Sequence, residues 1–263
     1  MNTKNFRVLK VFILSGLLLF MLSFETEGQF YNFPPMPPPE LYGNLLINRT
    51  SEKNNVKSVT FSHWIHREHH TCRVCHFELD FKFKINTTEI TEEDNRAGLY
   101  CGARTCHDGK AAFGHKDEKD CDKCHNGDIS YGKEKFEEFS KKLPKARYGN
   151  GINWIRAVER KHIKPMSVLD LKPPADLKFT KNLELVTTWF NIPPARFPHA
   201  KHSEWLDCNN CHPDFFAIKL GDTKDFKMGR IYKGELCGEC HSKVAFHVKD
   251  CRRCHPKMHM EAR

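Results

Sequence analysis

No cysteine in this chain stands alone, no apolar run beyond residue 28 is long enough to cross a membrane, and hydrophobic residues make up only 39% of the whole. Each shortage excludes something. The missing long run excludes a polytopic membrane protein and leaves a soluble or peripheral body. A hydrophobic share of 39% beside 29% charged residues is thin for two conventional cores in 263 residues. Something other than leucine layers must then supply buried apolar surface. No twin arginine precedes the N-terminal apolar stretch, and no cysteine lies near its end, so a lipoprotein anchor is excluded.

That stretch reads as a Sec signal peptide. Lys4, Arg7 and Lys10 precede the apolar run Val11 to Phe24, and cleavage after Gly28 would place Thr26 at the minus-three position. Glu25 and Glu27 are unusual there, and an uncleaved segment would serve as a membrane anchor. The expected location is periplasmic or extracellular, with membrane anchoring as the alternative.

What is present is cysteine in a strict pattern. All 12 cysteines fall in six close pairs, each followed directly by histidine. They are Cys72/Cys75 with His76, Cys101/Cys106 with His107, Cys121/Cys124 with His125, Cys208/Cys211 with His212, Cys237/Cys240 with His241, and Cys251/Cys254 with His255. Five read CxxCH; the second, CGARTCH, has four residues between its cysteines. Haem c requires this arrangement: two thiols form thioethers to the porphyrin vinyl groups, and the adjacent imidazole ligates the iron. Disulfides closed over two residues would be strained, and neither they nor zinc ribbons need a histidine after every pair. Six covalent haems are therefore expected, and their faces would provide the missing apolar surface. The 20 phenylalanines fit as ring packing. The formal charge of +9 includes +1 from residues 1–28. Six haems at about −1 each would bring the remainder to roughly +2, so nucleic acid is not an expected partner.

The chain is an internal duplication. Cys72 to Cys208, His63 to His199 and Cys101 to Cys237 all span 136 positions. Phe61-Ser62-His63-Trp64-Ile65-His66 in the first copy answers to Phe197-Pro198-His199-Ala200-Lys201-His202 in the second. Cys101-Gly102 leading to Ala112-Phe113 answers to Cys237-Gly238 leading to Ala245-Phe246. The expected organisation is a signal segment or anchor (1–28), a proline-rich lead-in (29–54), a trihaem unit (55–126), a connector (127–182) and a second trihaem unit (183–263). In the connector, Tyr131 to Leu143 and Ile152 to Ile163 read as short polar helices, followed by a linker around Pro173-Pro174. Each unit opens with an extended run, Asn55 to Phe61 and Leu183 to Asn191.

The Phe-x-His-x-x-His opening followed by three attachment sites resembles the class III multihaem cytochromes c, specifically the trihaem c-seven type and its tandem "nanowire" relatives. The segments Gly98-Leu99-Tyr100-Cys101-Gly102 and Gly234-Glu235-Leu236-Cys237-Gly238 carry the same resemblance. It implies a mostly irregular fold with short helices and short strands, built as two tandem trihaem units around low-potential covalent haems. It also implies periplasmic or extracellular electron transfer in anaerobic respiration. Residue by residue, the resemblance makes His63 the distal ligand at the haem of His76, and His66 that at the haem of His107. Likewise His199 serves the haem of His212, and His202 that of His241. The three-residue spacing puts both imidazoles on one side of a short helix.

For the third haem of each unit the family places its ligand before the middle attachment site. Met228 stands there in the second unit, whereas the first has neither histidine nor methionine around Glu92. His115 and His247 follow the Ala-Phe pair in both halves. His115 is assigned to the haem of His125; for the haem of His255 the choice lies between Met228 and His247. Thioether ligation would raise that potential. His69, His70, His162 and His259 are spares.

Three functions remain in view. An electron carrier or conduit needs every iron six-coordinate. A multihaem oxidoreductase needs one open iron beside acid and base residues. A haem subunit docked to a membrane quinol-oxidising complex differs only in its partner. Expected partners are other redox proteins (cytochromes or membrane quinone-linked complexes), with the N-terminus available for membrane association and the chain itself for self-association.

Overall fold

Short strands and single helical turns alternate with bends along most of the chain, as expected for a fold without extended secondary structure. The computed structural model describes residues 33–172, 179–187 and 192–258. The signal segment, the Pro173-Pro174 linker, the end of the Leu183 to Asn191 run and His259 lie outside the described residues. The chain divides at Pro35, and the body that begins at Met36 is the one described below. Among the described residues no helix is long and apolar enough to cross a membrane.

Each repeat opens on a two-stranded antiparallel ladder. Strand β1 (Asn44–Ile47) pairs with β2 (Val59–Ser62), placing Asn44 opposite Ser62 and Ile47 opposite Val59. Strand β3 (Asn182–Leu185) pairs with β4 (Ala195–Pro198), placing Asn182 opposite Pro198 and Leu185 opposite Ala195. Val59, Thr60 and Phe61 are branched or aromatic and suit a pleated surface. The first run is shorter than the sequence suggests, because Asn55 takes a left-handed turn at φ 55° and delays the strand to Val59. In the second, β3 ends at Leu185 and Val186 is 86% exposed. Both β2 and β4 run directly into a short helix, His63–His69 and His199–Ser203.

Between the repeats the connector forms a conventional core. Its helices, Glu134–Lys141 and Trp154–Glu159, are shorter than Tyr131 to Leu143 and Ile152 to Ile163. Gly132 at φ 80° lies before the first, and Asn153 caps the second by accepting from the Arg156 N–H. Phe136, Leu143, Ile152, Trp154, Ala157 and Ile163 are buried together with Trp64 and Trp205, one tryptophan from each repeat. Trp64 meets Phe136 edge-on at 5.1 Å and Phe139 at 5.2 Å, and its indole N–H donates to the Glu40 carbonyl at 3.1 Å. The Arg67 guanidinium covers Trp154 at 5.1 Å and Trp205 at 5.7 Å. Trp64 sits between His63 and His66 in sequence, so this packing bolts the histidine-bearing helix to the connector.

The duplication also shows in a close backbone approach. A Cβ on Gly102 would lie 1.9 Å from the Asn95 carbonyl oxygen, and one on Gly238 would lie 2.0 Å from that of Ile231. Only glycine allows the turns Glu92–Arg96 and Met228–Tyr232 to press on the middle attachment sites.

Candidate haem-binding sites

The strand-to-helix corner explains the Phe-x-His-x-x-His motif. Phe61 stacks on the His66 ring at 4.2 Å and meets His63 edge-on at 4.9 Å. Phe197 does the same to His202 at 4.3 Å and His199 at 4.7 Å. Each of these imidazoles donates from Nδ1 to a main-chain carbonyl. His63 reaches Gly43 at 2.6 Å and His199 reaches Lys181 at 3.0 Å, while His66 reaches Ser62 at 2.8 Å and His202 reaches Pro198 at 3.0 Å.

The six histidines that follow the cysteine pairs are tied in the same way. His76, His107, His212 and His241 donate from Nδ1 to carbonyls a few residues on, those of Phe81, Phe113, Phe216 and Phe246. His125 and His255 reach back instead to Lys57 at 2.9 Å and Pro193 at 2.7 Å, closing each repeat just before its second strand. A carbonyl can only accept, so in all ten Nδ1 carries the proton and Nε2 is left with the lone pair a metal would use. The carbonyl partners were not singled out from the sequence. Lys57 and Pro193 stand at the same offset as the rest of the duplication, which is the signal that could have found them.

The widened motif keeps the common geometry. At four CxxCH sites the histidine N–H donates to the carbonyl of the first cysteine, as from His125 to Cys121 at 2.8 Å and from His241 to Cys237 at 3.0 Å. His107 makes the same bond to Cys101 at 2.9 Å across the longer spacing. The two extra residues are absorbed in a loop where Thr105 takes φ 67°. His107 is thus tied to Cys101 as the histidines of those four sites are tied to their first cysteines.

Facing histidines are spaced for a metal between them. His66 and His107 have ring centroids 6.0 Å apart, and His202 and His241 have theirs 6.3 Å apart. Two metal–nitrogen bonds of about 2 Å, plus about 1 Å from each nitrogen to its centroid, give roughly 6 Å. The residues therefore fit a bis-imidazole haem. Burial keeps His63, His66 and His241 neutral, as iron ligation requires, holding His63 down to about 3 and the other two to about 4. His76 is among the neighbouring groups that lower His63 further.

Burial likewise holds several of the attachment thiols in their neutral form. Burial pushes Cys75, Cys101, Cys237 and Cys240 up to about 12. A thioether has no proton to lose, so the same burial costs it little. One short helix carries the distal candidates for the first and second sites of each repeat, and cations of the third motif cover rings beside the second: Lys123 lies over Phe113 and Arg253 over Phe246, each at 5.2 Å. Each repeat thus runs first, second, third site in space. Arg67, on the first repeat's histidine helix, donates to the Val244 carbonyl beside the middle site of the other repeat at 3.0 Å.

At the third sites the two repeats differ. The His115 Nε2 is buried without a hydrogen-bond partner, as befits a nitrogen meant for a metal. His247 is 4% exposed, but its Nδ1 accepts from the Lys249 N–H at 3.0 Å, placing the imidazole proton on Nε2. Met228 begins the turn Met228–Tyr232 and is half-buried. Of the spares, His69 is within 3.8 Å of Glu68, His70 bridges to Met166, and His162 is exposed.

Paired thiols with a tied imidazole beside them, a facing second imidazole and little other core define a multihaem c-type cytochrome. Residues 59–126 and 195–256 each match the family model for cytochrome c7 and related cytochrome c. The chain carries two tandem domains of that family, and it is an electron-transfer cytochrome in that broad sense. Two solved structures align with it at 26% identity. The C-terminal hexaheme fragment of GSU1996 matches over 84% of this chain and 99% of its own, with a TM-score of 0.27. The dodecaheme cytochrome c GSU1996 matches over 82% of this chain and 75% of its own, with a TM-score of 0.29. No curated protein matches.

Proposed function

We propose that the chain is a hexahaem carrier or conduit, exported by the Sec route, that serves periplasmic or extracellular respiratory electron transfer. The observation that supports this most is the repeated Nδ1 tie, which prepares six proximal and four distal imidazoles for iron through Nε2. His115, with its unpartnered Nε2, supplies an eleventh ligand for the site of His125. For the site of His255 we favour Met228, because the His247 Nδ1 is already an acceptor.

Haem, when bound, supplies a one-electron ferric–ferrous couple. The chain's own groups do the rest. The cysteine pairs would tether the macrocycle and the tied imidazoles would present Nε2 to its iron, while burial keeps His63, His66, His76, His202 and His241 neutral. Cys121 and Cys208 are both exposed, so a redox partner such as a cytochrome or a quinone-linked membrane complex would reach the chain at the third site of the first repeat or the first site of the second. A reductase would instead need one iron with an open position. Carbon monoxide added to the dithionite-reduced protein distinguishes the two. A carrier leaves the Soret spectrum unchanged, and a stoichiometric carbonyl shift at one haem would establish the enzyme reading.

A further inference from the structure

The residues that vary between the cysteines of an attachment motif normally face no particular demand, yet here two of them reach across to the other repeat. Arg73 lies inside Cys72-Arg73-Val74-Cys75-His76 and is only 6% exposed. Its Nε donates to Asp207 at 3.0 Å, the residue directly before Cys208 in the other repeat. Its remaining donors go to Glu78, to the Ser167 carbonyl at 3.1 Å and to the Leu171 carbonyl at 2.6 Å. Its backbone N–H donates to the Trp205 carbonyl at 2.9 Å.

The reverse contact comes from Asn210, inside Cys208-Asn209-Asn210-Cys211-His212 and 5% exposed. Its side-chain amide donates to the carbonyl of His76 at 2.9 Å while its oxygen accepts from the Asp207 N–H at 2.8 Å. Rings close the same contact: Phe83 stacks on His76 at 4.4 Å and meets Phe215, three residues past His212, at 5.4 Å. Removing one member of so buried a set leaves the others unpaired, so the clamp is held as a unit.

We propose that Arg73, Asp207 and Asn210 join the two repeats head to head at their first attachment sites. The route through the protein then runs from the site of His125 through those of His107 and His76, and crosses there into the second repeat at the site of His212. It does not follow sequence order, which would join the site of His125 to that of His212. The inference rests on the hexahaem reading and adds the order of the sites to it.

The test uses full-length holoprotein as Arg73→Met and Asn210→Ala, the second being the milder change. Intact mass first gives the haem number; a parent protein short of six haems would fail the hexahaem reading and leave the clamp to be judged separately. Hydrogen exchange then reports whether residues 72–78 and 205–210 loosen together. Low-temperature EPR of the oxidised protein reports magnetic coupling between neighbouring irons. The expected result is loss of the inter-repeat part of the coupling in both variants, with haem number kept and amide exchange faster on both sides of the clamp. Unchanged coupling after the amides have loosened would overturn the proposed junction. Unchanged exchange in both variants would overturn the clamp itself.

Discussion

The connector and the repeats are stabilised by different means. In the connector, Phe136, Leu143, Ile152, Trp154, Ala157 and Ile163 bury one another, and each well-buried large side chain among them contributes about 1.5–3 kcal/mol. The repeats carry most of the described chain, yet beyond the connector the buried hydrophobic residues are few: Tyr42, Trp64, Val74, Ala103, Trp205 and Leu236. Of those, Trp64 and Trp205 are spent on the connector's core. What the repeats possess instead is a scaffold of tied histidines and paired thiols. The difference teaches that the connector is a structural hub onto which two cofactor-built repeats are fastened.

The largest expected effect follows from withholding haem. Chain made without haem-attachment machinery should show no cooperative unfolding transition and should be digested rapidly by protease across both repeats. A cooperative, native-like apoprotein would break the comparison, since the repeats would then need no cofactor to fold.

Next in size are the tryptophan anchors. In holoprotein, Trp64→Ala or Phe136→Ala should cost about 3–5 kcal/mol, read as a lowered denaturant midpoint at unchanged haem content. A cost below about 1 kcal/mol would mean that the haems alone hold the histidine helix in place.

The smallest effect sharpens the difference between the two repeats. Met228→Ala should abolish a weak sulfur-to-iron band near ~695 nm and leave one high-spin iron, while His247→Ala should change neither. The opposite pattern would assign His247 and make both repeats bis-histidine throughout.

Much of the site was legible because covalent haem attachment imposes a fixed residue order that no other chemistry needs. The duplication was legible because His63 with His199 and Cys72 with Cys208 recur at one fixed offset of 136 positions. The first strand was not, because Asn44–Ile47 carries a short apolar pattern inside a proline-rich lead-in and is identified as a strand only by pairing with Val59–Ser62. The hub was missed for a different reason. Glu134–Lys141 is charged on most of its positions, and Phe136 and Phe139 acquire their meaning only from Trp64, a residue some seventy positions earlier whose partners local periodicity cannot reveal. The Arg73–Asp207 contact is equally long-range, and it sits at a position where the attachment motif allows any residue.

The measurement that bears most directly on the central claim is the intact mass of the purified protein. Six haems should add about six increments of roughly 616 Da, including one carried by Cys101 and Cys106 despite their wider spacing. A mass corresponding to five haems, with free thiols mapped to Cys101 and Cys106, would contradict it.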